Sequence, residues 1–204
     1  MGFYSDQVLP RAIDWAMNTA ELREIRERCL AGAAGDVLEV GFGSGLNLPH
    51  YPQGVSKLFA VDPALVGKKL ARKRLAGCPF PVEFVGLDGQ SIPLPDASLD
   101  FAVSTWTLCT IPNPLAALSE MARVLKPEGK LHFVEHGRAP ERRVRRWQDL
   151  WNPIHKRLAG GCHLNRDMSA LVEAAGFRID SIENFYSKGP RIFTYTYLGK
   201  ASPR

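Results

Sequence analysis

Apolar residues fall into two rhythms along this chain. Short apolar runs recur between residues 36 and 136: DVLEVG, KLFAVD, VEFVGL, LDFAVST and KLHFVEH. Their length and their Val, Leu and Phe content predict strands buried on both faces. Between them, PALVGKKLARKRLAG and NPLAALSEMARVLKP space apolar positions near the helical period and close on Gly or Pro, which predicts amphipathic helices. Residues 7 to 30 predict a leading helix, with Val8, Ile13, Ala16, Leu22, Ile25 and Leu30 keeping its approximate period. MSALVEAAGF predicts a last helix. RIDSIENFY and RIFTYTYLGKA, with no helix between them, predict an antiparallel pair. Strands alternating with helices build a parallel sheet covered on both faces. The expectation is an α/β domain: a doubly wound, mostly parallel seven-stranded sheet with an antiparallel closing pair.

At 204 residues, 45% hydrophobic and 23% charged, the chain suits a single domain with a well-formed core. Its expected parts are a helical N-terminal cap (1–30), a core (34–137), a second cap on the substrate side (138–168), and the last helix with the closing strands (169–204). No window holds the roughly 20 apolar residues of a membrane span, and MGFYSDQVLPRAIDW does not read as a secretory signal. The four cysteines, Cys29, Cys78, Cys109 and Cys162, are scattered without a Cys-x-x-Cys pair. Neither a disulfide framework nor a metal site is therefore expected, and a reducing, cytoplasmic setting is. The net charge of +5 draws on Arg138, Arg142, Arg143, Arg145 and Arg146. Val144, Trp147 and Trp151 lie among them at helical spacing and predict the buried stripe of a helix whose arginines face water. That basic face allows weak contact with an anionic surface. Nucleic acid is not an expected partner.

The first strand ends at Val40 and runs straight into Gly41, Gly43 and Gly45. In an open parallel sheet, ligands bind beyond the carboxyl ends of the strands, where the strand order reverses. Glycines at that edge let the backbone turn tightly and let a ligand come close. The spacing here is G-x-G-x-G, with Leu46 where a dinucleotide fingerprint has its third glycine. Glu39, just ahead of the turn, would repel a pyrophosphate, which disfavours a nicotinamide dehydrogenase. It would suit a ligand carrying an ammonium and a sulfonium. Asp62 ends the second strand, where a carboxylate can accept hydrogen bonds from both ribose hydroxyls. Asp88 ends the third, placed for an exocyclic adenine amine. Each acid alone could be a helix cap, as Asp62 before Pro63 could. Three of them at successive strand ends point to S-adenosylmethionine.

VLEVGFGSG, VDP, LDGQSIPLPDASLDFAVSTWTLCTI and RVLKPEGKLHFVEHG resemble the successive motifs of the class I S-adenosylmethionine-dependent methyltransferases. The resemblance covers about residues 34 to 137. Taken together, TLCTI, FVEHG and GGCHLNRD are similar to segments of the methyltransferase-like thiol methyltransferases and their soluble bacterial relatives. The resemblance implies a Rossmann-like fold and a cofactor site lined by Glu39, Gly41, Gly43, Asp62, Asp88 and Gly89. Gly45, Asn47 and Pro63 lie in the same turns, and the Thr105 region would meet the methionine end.

Methyl transfer is an in-line displacement at a carbon that the sulfonium already activates, so the acceptor side must position a nucleophile and exclude water. His136 ends the fifth strand at the same edge and is the candidate catalytic residue. It can take a proton from a thiol near neutral pH, or it can simply hold the following loop. His163 is a second candidate on the substrate side, or a loop residue. Trp106 reads as an apolar wall for the acceptor or as ordinary core, and Tyr4 and Trp147 are aromatic candidates from the two caps. Cys109 reads as a small buried hydrophobe. STWTLCT, after the fourth strand, lacks the Asn-Pro-Pro-Tyr set often carried by methyltransferases of adenine or glutamine amino groups. The favoured acceptor is a small thiol or hydrosulfide. The alternatives are a lipid headgroup amine, a quinone-like ring, or a regulatory module that binds S-adenosylmethionine without turnover.

Overall fold

A computed structural model describes residues 8–63 and 65–204. Its strands are β1 (Gly35–Val40), β2 (Val55–Val61), β3 (Val82–Gly86), β4 (Leu99–Thr105), β5 (Leu125–His136), β6 (Phe177–Tyr186) and β7 (Tyr195–Pro203). They form one sheet in the order β3-β2-β1-β4-β5-β7-β6. The first five strands run parallel, and β7 pairs antiparallel with both β5 and β6. This is the doubly wound, Rossmann-like sheet that the apolar runs predict.

The helices are α1 (Leu9–Ala16), α2 (Ala20–Leu30), α3 (Leu65–Ala76), α4 (Pro114–Val124), α5 (Arg142–Leu158), α6 (Met168–Ala174) and the single turn α7 (Arg191–Thr194). β1 is central and buried from Val37 to Val40. Alternate side chains feed two cores. Leu38 and Val40 join Leu118, Met121 and Phe133 on one face, while Val37 joins Leu30, Leu58 and Phe101 on the other. A slip of one residue would turn both sets to the wrong side, so the register is tightly specified. The strand order reverses between β1 and β4, and the chain leaves β1 there through the glycine turn.

Three local expectations are corrected. The leading helix is two helices, because the Thr19 hydroxyl accepts from the Leu22 amide at 3.3 Å and starts α2 afresh. RIFT forms α7 behind Pro190 rather than the start of the last strand. The third correction concerns α5, whose Trp147 and Trp151 are not buried. They are 47% and 39% exposed, and Leu150 and Ile154 beside them are 65% and 50% exposed. The residue this helix buries is Gln148, whose amide accepts from Ala139 N at 3.0 Å and donates to the Gly137 carbonyl at 3.0 Å. Those two backbone groups need a partner inside the protein, and meeting them fixes which arc of α5 faces inward. The tryptophans are left on the neighbouring arc. Among the described residues, no helix is long and apolar enough to cross a membrane.

Candidate active site

Gly41, Gly43 and Gly45 all take left-handed backbone angles, with φ of 85°, 54° and 73°. A Cβ on Gly41 would lie 1.9 Å from the Thr107 hydroxyl, so the turn is pressed against the loop after β4. Gly43 is different: a Cβ there would meet nothing within 4 Å. Its amide donates to Asp62 Oδ2 at 2.7 Å, which ties the turn to the end of β2. From behind, α3 closes in so far that a Cβ on Gly67 would sit 2.4 Å from the Gly43 carbonyl oxygen. The outcome is a rigid turn with open space on one side.

Glu39 is buried beneath this turn. Asn47 Nδ2 donates to its Oε1 at 2.9 Å and the Tyr51 hydroxyl to its Oε2 at 2.8 Å. The same Asn47 amide donates to the Thr105 hydroxyl at 3.0 Å, joining the ends of β1 and β4. Asn47 Oδ1, also buried, has no hydrogen-bond partner among the described residues. An orphaned buried acceptor beside the Glu39 carboxyl group fits a ligand that brings a donor, such as an amino-acid ammonium. The open side of Gly43 fits as well, because it is a cradle that any side chain would fill. Asp62 is buried just after β2. Asp88 is exposed at the end of β3, its Oδ1 accepting from the Gln90 amide and side chain, each at 2.9 Å. Gly89 is buried, and a Cβ there would lie 2.7 Å from Val40 Cγ1. Pro63 is exposed beside Asp62. The sequence-predicted cofactor residues thus line one edge, from the end of β3 to the end of β4.

Burial pushes the Glu39 carboxyl up to about 8, against the lowering effect of the Tyr51 and Asn47 hydrogen bonds. An acid raised from an ordinary 4.5 keeps its proton in the fold and loses it on unfolding. Its contribution to stability is therefore fully present below about 4.5 and is lost as pH rises through about 8. In thermal unfolding of the ligand-free chain, Glu39→Gln is expected to be more stabilising near pH 8 than at about pH 5. An offset that stays constant across that range would contradict the raised carboxyl.

The acceptor side begins where β4 ends. Trp106 has a φ of 51°, a left-handed conformation that is strained for a bulky residue. Its amide donates to the Val134 carbonyl at 2.7 Å, the Arg26 guanidinium lies 4.7 Å over its ring, and the His136 ring is 6.2 Å away. Its indole Nε1 is buried without a hydrogen-bond partner among the described residues. Glu135 organises the loop that follows. Its buried carboxylate accepts from the Ser104 hydroxyl at 2.7 Å and from the amides of Thr107, Leu108 and Cys109 at 3.0, 3.0 and 3.1 Å. Cys109 is buried, as expected, but not merely as a hydrophobe: its Sγ lies 3.4 Å from Cys162 Sγ, which is 4.0 Å from His136 Nδ1. A cavity of about 360 Å³ opens beside His136, lined also by Met17, Thr19, Leu22, Lys188 and Thr194.

The structure thus brings His136 and Trp106 together at this edge. His163 is half-buried next to Cys162, and its amide donates to the Cys109 carbonyl at 2.7 Å. Burial holds its imidazole down at about 4, so the ring is neutral near pH 7. Trp147 lies on the exposed arc of α5 and in neither part of the site. Tyr4 lies outside the described residues. Sequence reasoning missed Tyr51 and Arg26 near Glu39, Gly67 behind the turn, and the carboxylate role of Glu135. Glu135 carried a usable signal, since an acid inside an apolar strand needs partners.

A methyltransferase-domain family model matches residues 38–133. The rat (Rattus norvegicus) thiol S-methyltransferase TMT1B is 36% identical over 154 residues, 72% of this chain and 63% of the relative. The chain therefore spans less than two thirds of that relative's length. A phosphatidylethanolamine N-methyltransferase from Cereibacter sphaeroides is 33% identical over 111 residues, half of this chain and 51% of the relative. The crystal structure of a SAM-dependent methyltransferase from Aquifex aeolicus superposes with a TM-score of 0.64 at 20% identity, over 94% of this chain and 97% of that one. At that identity the likeness speaks for the fold alone. With the domain match, the relatives, the sheet order and the glycine turn in agreement, the chain belongs to the class I S-adenosylmethionine-dependent methyltransferases.

Proposed function

We propose that this chain transfers the methyl group of S-adenosylmethionine to the sulfur of a small thiol or hydrosulfide. In this reading Glu39, Asn47 and Thr105 hold the methionine end, Gly41, Gly43 and Gly45 let the cofactor lie against the turn, and Asp62 with Pro63 takes the ribose. Asp88 and Gly89 take the adenine. The bound cofactor supplies a methyl carbon already activated by its sulfonium. The described residues 8–30, together with 138–168, cap the strand ends and keep water out.

The observation that carries the thiol reading is the pairing of His136 with a small cavity, walled by α1, α2 and the turn before β7. A free thiol titrates near 8.5, so a few per cent is already ionised at about pH 7, and one imidazole that favours the thiolate is enough. A hydroxyl or amide acceptor would demand stronger activation. The similarity to TMT1B supports sulfur as the acceptor, and that to the phosphatidylethanolamine enzyme marks the rival. A reducing, cytoplasmic setting suits a thiol acceptor. The test is a panel of small thiols, phosphatidylethanolamine vesicles and a demethylated quinone, each offered with labelled cofactor. Transfer to thiols is expected, at rates that rise as pH approaches each thiol's own pKa. Transfer to the lipid amine or the ring alone would overturn the reading, and binding without any turnover would favour a regulatory module.

The exposed arc of α5 favours a second reading. Trp147, Leu150, Trp151 and Ile154 form an apolar stripe at helical spacing, flanked by Arg142, Arg143, Arg146, Lys156 and Arg157. An apolar stripe edged by cations complements an anionic lipid surface, into which the tryptophans would sink. Sedimentation with vesicles rich in anionic lipid, and not with neutral ones, is the expected result. Equal behaviour with both would contradict it.

A further inference from the structure

Three soft ligand atoms converge at the carboxyl edge beyond β4 and β5. Cys109 follows β4, His136 ends β5, and Cys162 lies in the turn after α5. Their Sγ, nitrogen and Sγ atoms all lie within 4.8 Å of one another, with the two sulfurs 3.4 Å apart and Cys162 Sγ 4.0 Å from His136 Nδ1. Spacing along the sequence gave no hint of this set. Both thiols are free, and their separation exceeds a disulfide bond of about 2.05 Å. Zinc binds thiolate at about 2.3 Å and imidazole at about 2.0 Å, so a tetrahedral site has ligand–ligand edges of about 3.8 Å between sulfurs and about 3.5 Å between sulfur and nitrogen. The sulfur–sulfur separation of 3.4 Å and the Cys162–His136 separation of 4.0 Å each lie about half an ångström from those edges. The Cys109–His136 separation, within 4.8 Å, needs a modest closing of the ring.

We propose that Cys109, Cys162 and His136 bind a zinc ion whose fourth position takes the sulfur of the acceptor. The inference deepens the thiol reading and rests on it for the fourth ligand only. Catalytic zinc sites hold three protein ligands and leave one position open to water or substrate, whereas structural sites are closed by four. The position in the sheet suits this. The adenine, ribose and methionine positions run along the edge from β3 to β4, and the cluster stands one strand further on, where the acceptor must be. The cavity meets the cluster through His136 and, at about 360 Å³, has room for a small alkyl thiol.

Coordination supplies what an acceptor thiol needs, because a metal-bound thiol is deprotonated outright. The acceptor's S–H proton goes to water and its sulfur stays on zinc as the thiolate. A sulfur lone pair then forms the bond to the methyl carbon as that carbon's bond to the sulfonium breaks. The breaking pair remains on the departing sulfur, which becomes a neutral thioether. One thiol and one cation thus give two neutral thioethers and one proton. The methylated product has lost its negative charge, is a poor zinc ligand, and leaves. His136 acts in this scheme as a ligand that makes the thiolate available.

The test measures metal first and transfer second. The reduced, purified chain is loaded with zinc, desalted and assayed by plasma mass spectrometry. Near-stoichiometric zinc is expected, and Cys162→Ser and Cys109→Ala should each lose most of it. Calorimetric affinity for S-adenosylhomocysteine should persist in both, showing that the fold is intact. Cobalt substituted for zinc should show the thiolate charge-transfer bands of a tetrahedral site, and these should shift when an alkyl thiol is added. Negligible zinc in the reduced wild-type chain overturns the proposal, and if that chain still methylates thiols, the thiol reading survives alone. Bound zinc whose cobalt spectrum ignores added thiol overturns the fourth-ligand assignment. If such a chain also methylates only amines or rings, the thiol reading falls with it.

Discussion

His136→Ala is expected to lower turnover with a small alkyl thiol by about 10²–10⁴-fold while leaving affinity for S-adenosylhomocysteine nearly intact. The split follows from position. The groups assigned to the cofactor lie at the ends of β1 to β4, whereas His136 ends β5 and faces Cys162, Trp106 and the cavity. Removing the imidazole takes away help in forming the acceptor thiolate and touches none of the cofactor's partners. The deficit should shrink as pH rises past about 8.5, where a thiol ionises unaided. A pH–rate profile and calorimetry on the same preparation check both halves. Equal loss of turnover and cofactor binding, or a deficit that stays constant with pH, would make His136 a purely structural residue.

Glu135→Ala should destabilise the chain by about 3–5 kcal/mol, the cost of stripping a buried hydrogen-bonded acid from its partners. The carboxylate collects the Ser104 hydroxyl and three successive backbone amides, and all four donors lose this partner once it is gone. Burial raises its pKa, although all four hydrogen bonds pull the other way, so the site carries a large desolvation cost that its partners only partly offset. Glu135→Gln keeps one acceptor oxygen but turns an NH₂ toward amides, and should cost less than Ala without reaching wild type. Urea unfolding of the three proteins measures the series. A loss below about 1 kcal/mol for Ala would mean that the loop carrying Trp106 and Cys109 holds its shape by packing alone.

The sheet was legible because parallel strands buried on both faces must be apolar throughout, and KLFAVD or LDFAVST can hardly be anything else. The placement of the candidate cofactor residues along one edge was legible for a related reason. A residue such as Asp62 is fixed in space by the strand it ends, so position in sequence translates directly into position at the edge. Contacts between distant segments had no such guide. Cys109, His136 and Cys162 meet only because β4, β5 and the turn after α5 end at one corner. Tyr51 meets Glu39 only through the fold of the turn after Asn47. In α5, periodicity located an apolar stripe correctly but could not say which arc the protein would cover. That was decided by two backbone groups at Gly137 and Ala139 and the single amide of Gln148 that satisfies them.

The most direct test of sulfur methylation is isotopic. The purified chain is given S-adenosylmethionine with a deuterated methyl group, together with an alkyl thiol and phosphatidylethanolamine vesicles in the same tube, and the products are identified by mass spectrometry. The expected result is a thioether carrying all three deuterons, formed in equal amount with S-adenosylhomocysteine. Deuterated lipid headgroup with no deuterated thioether would contradict it.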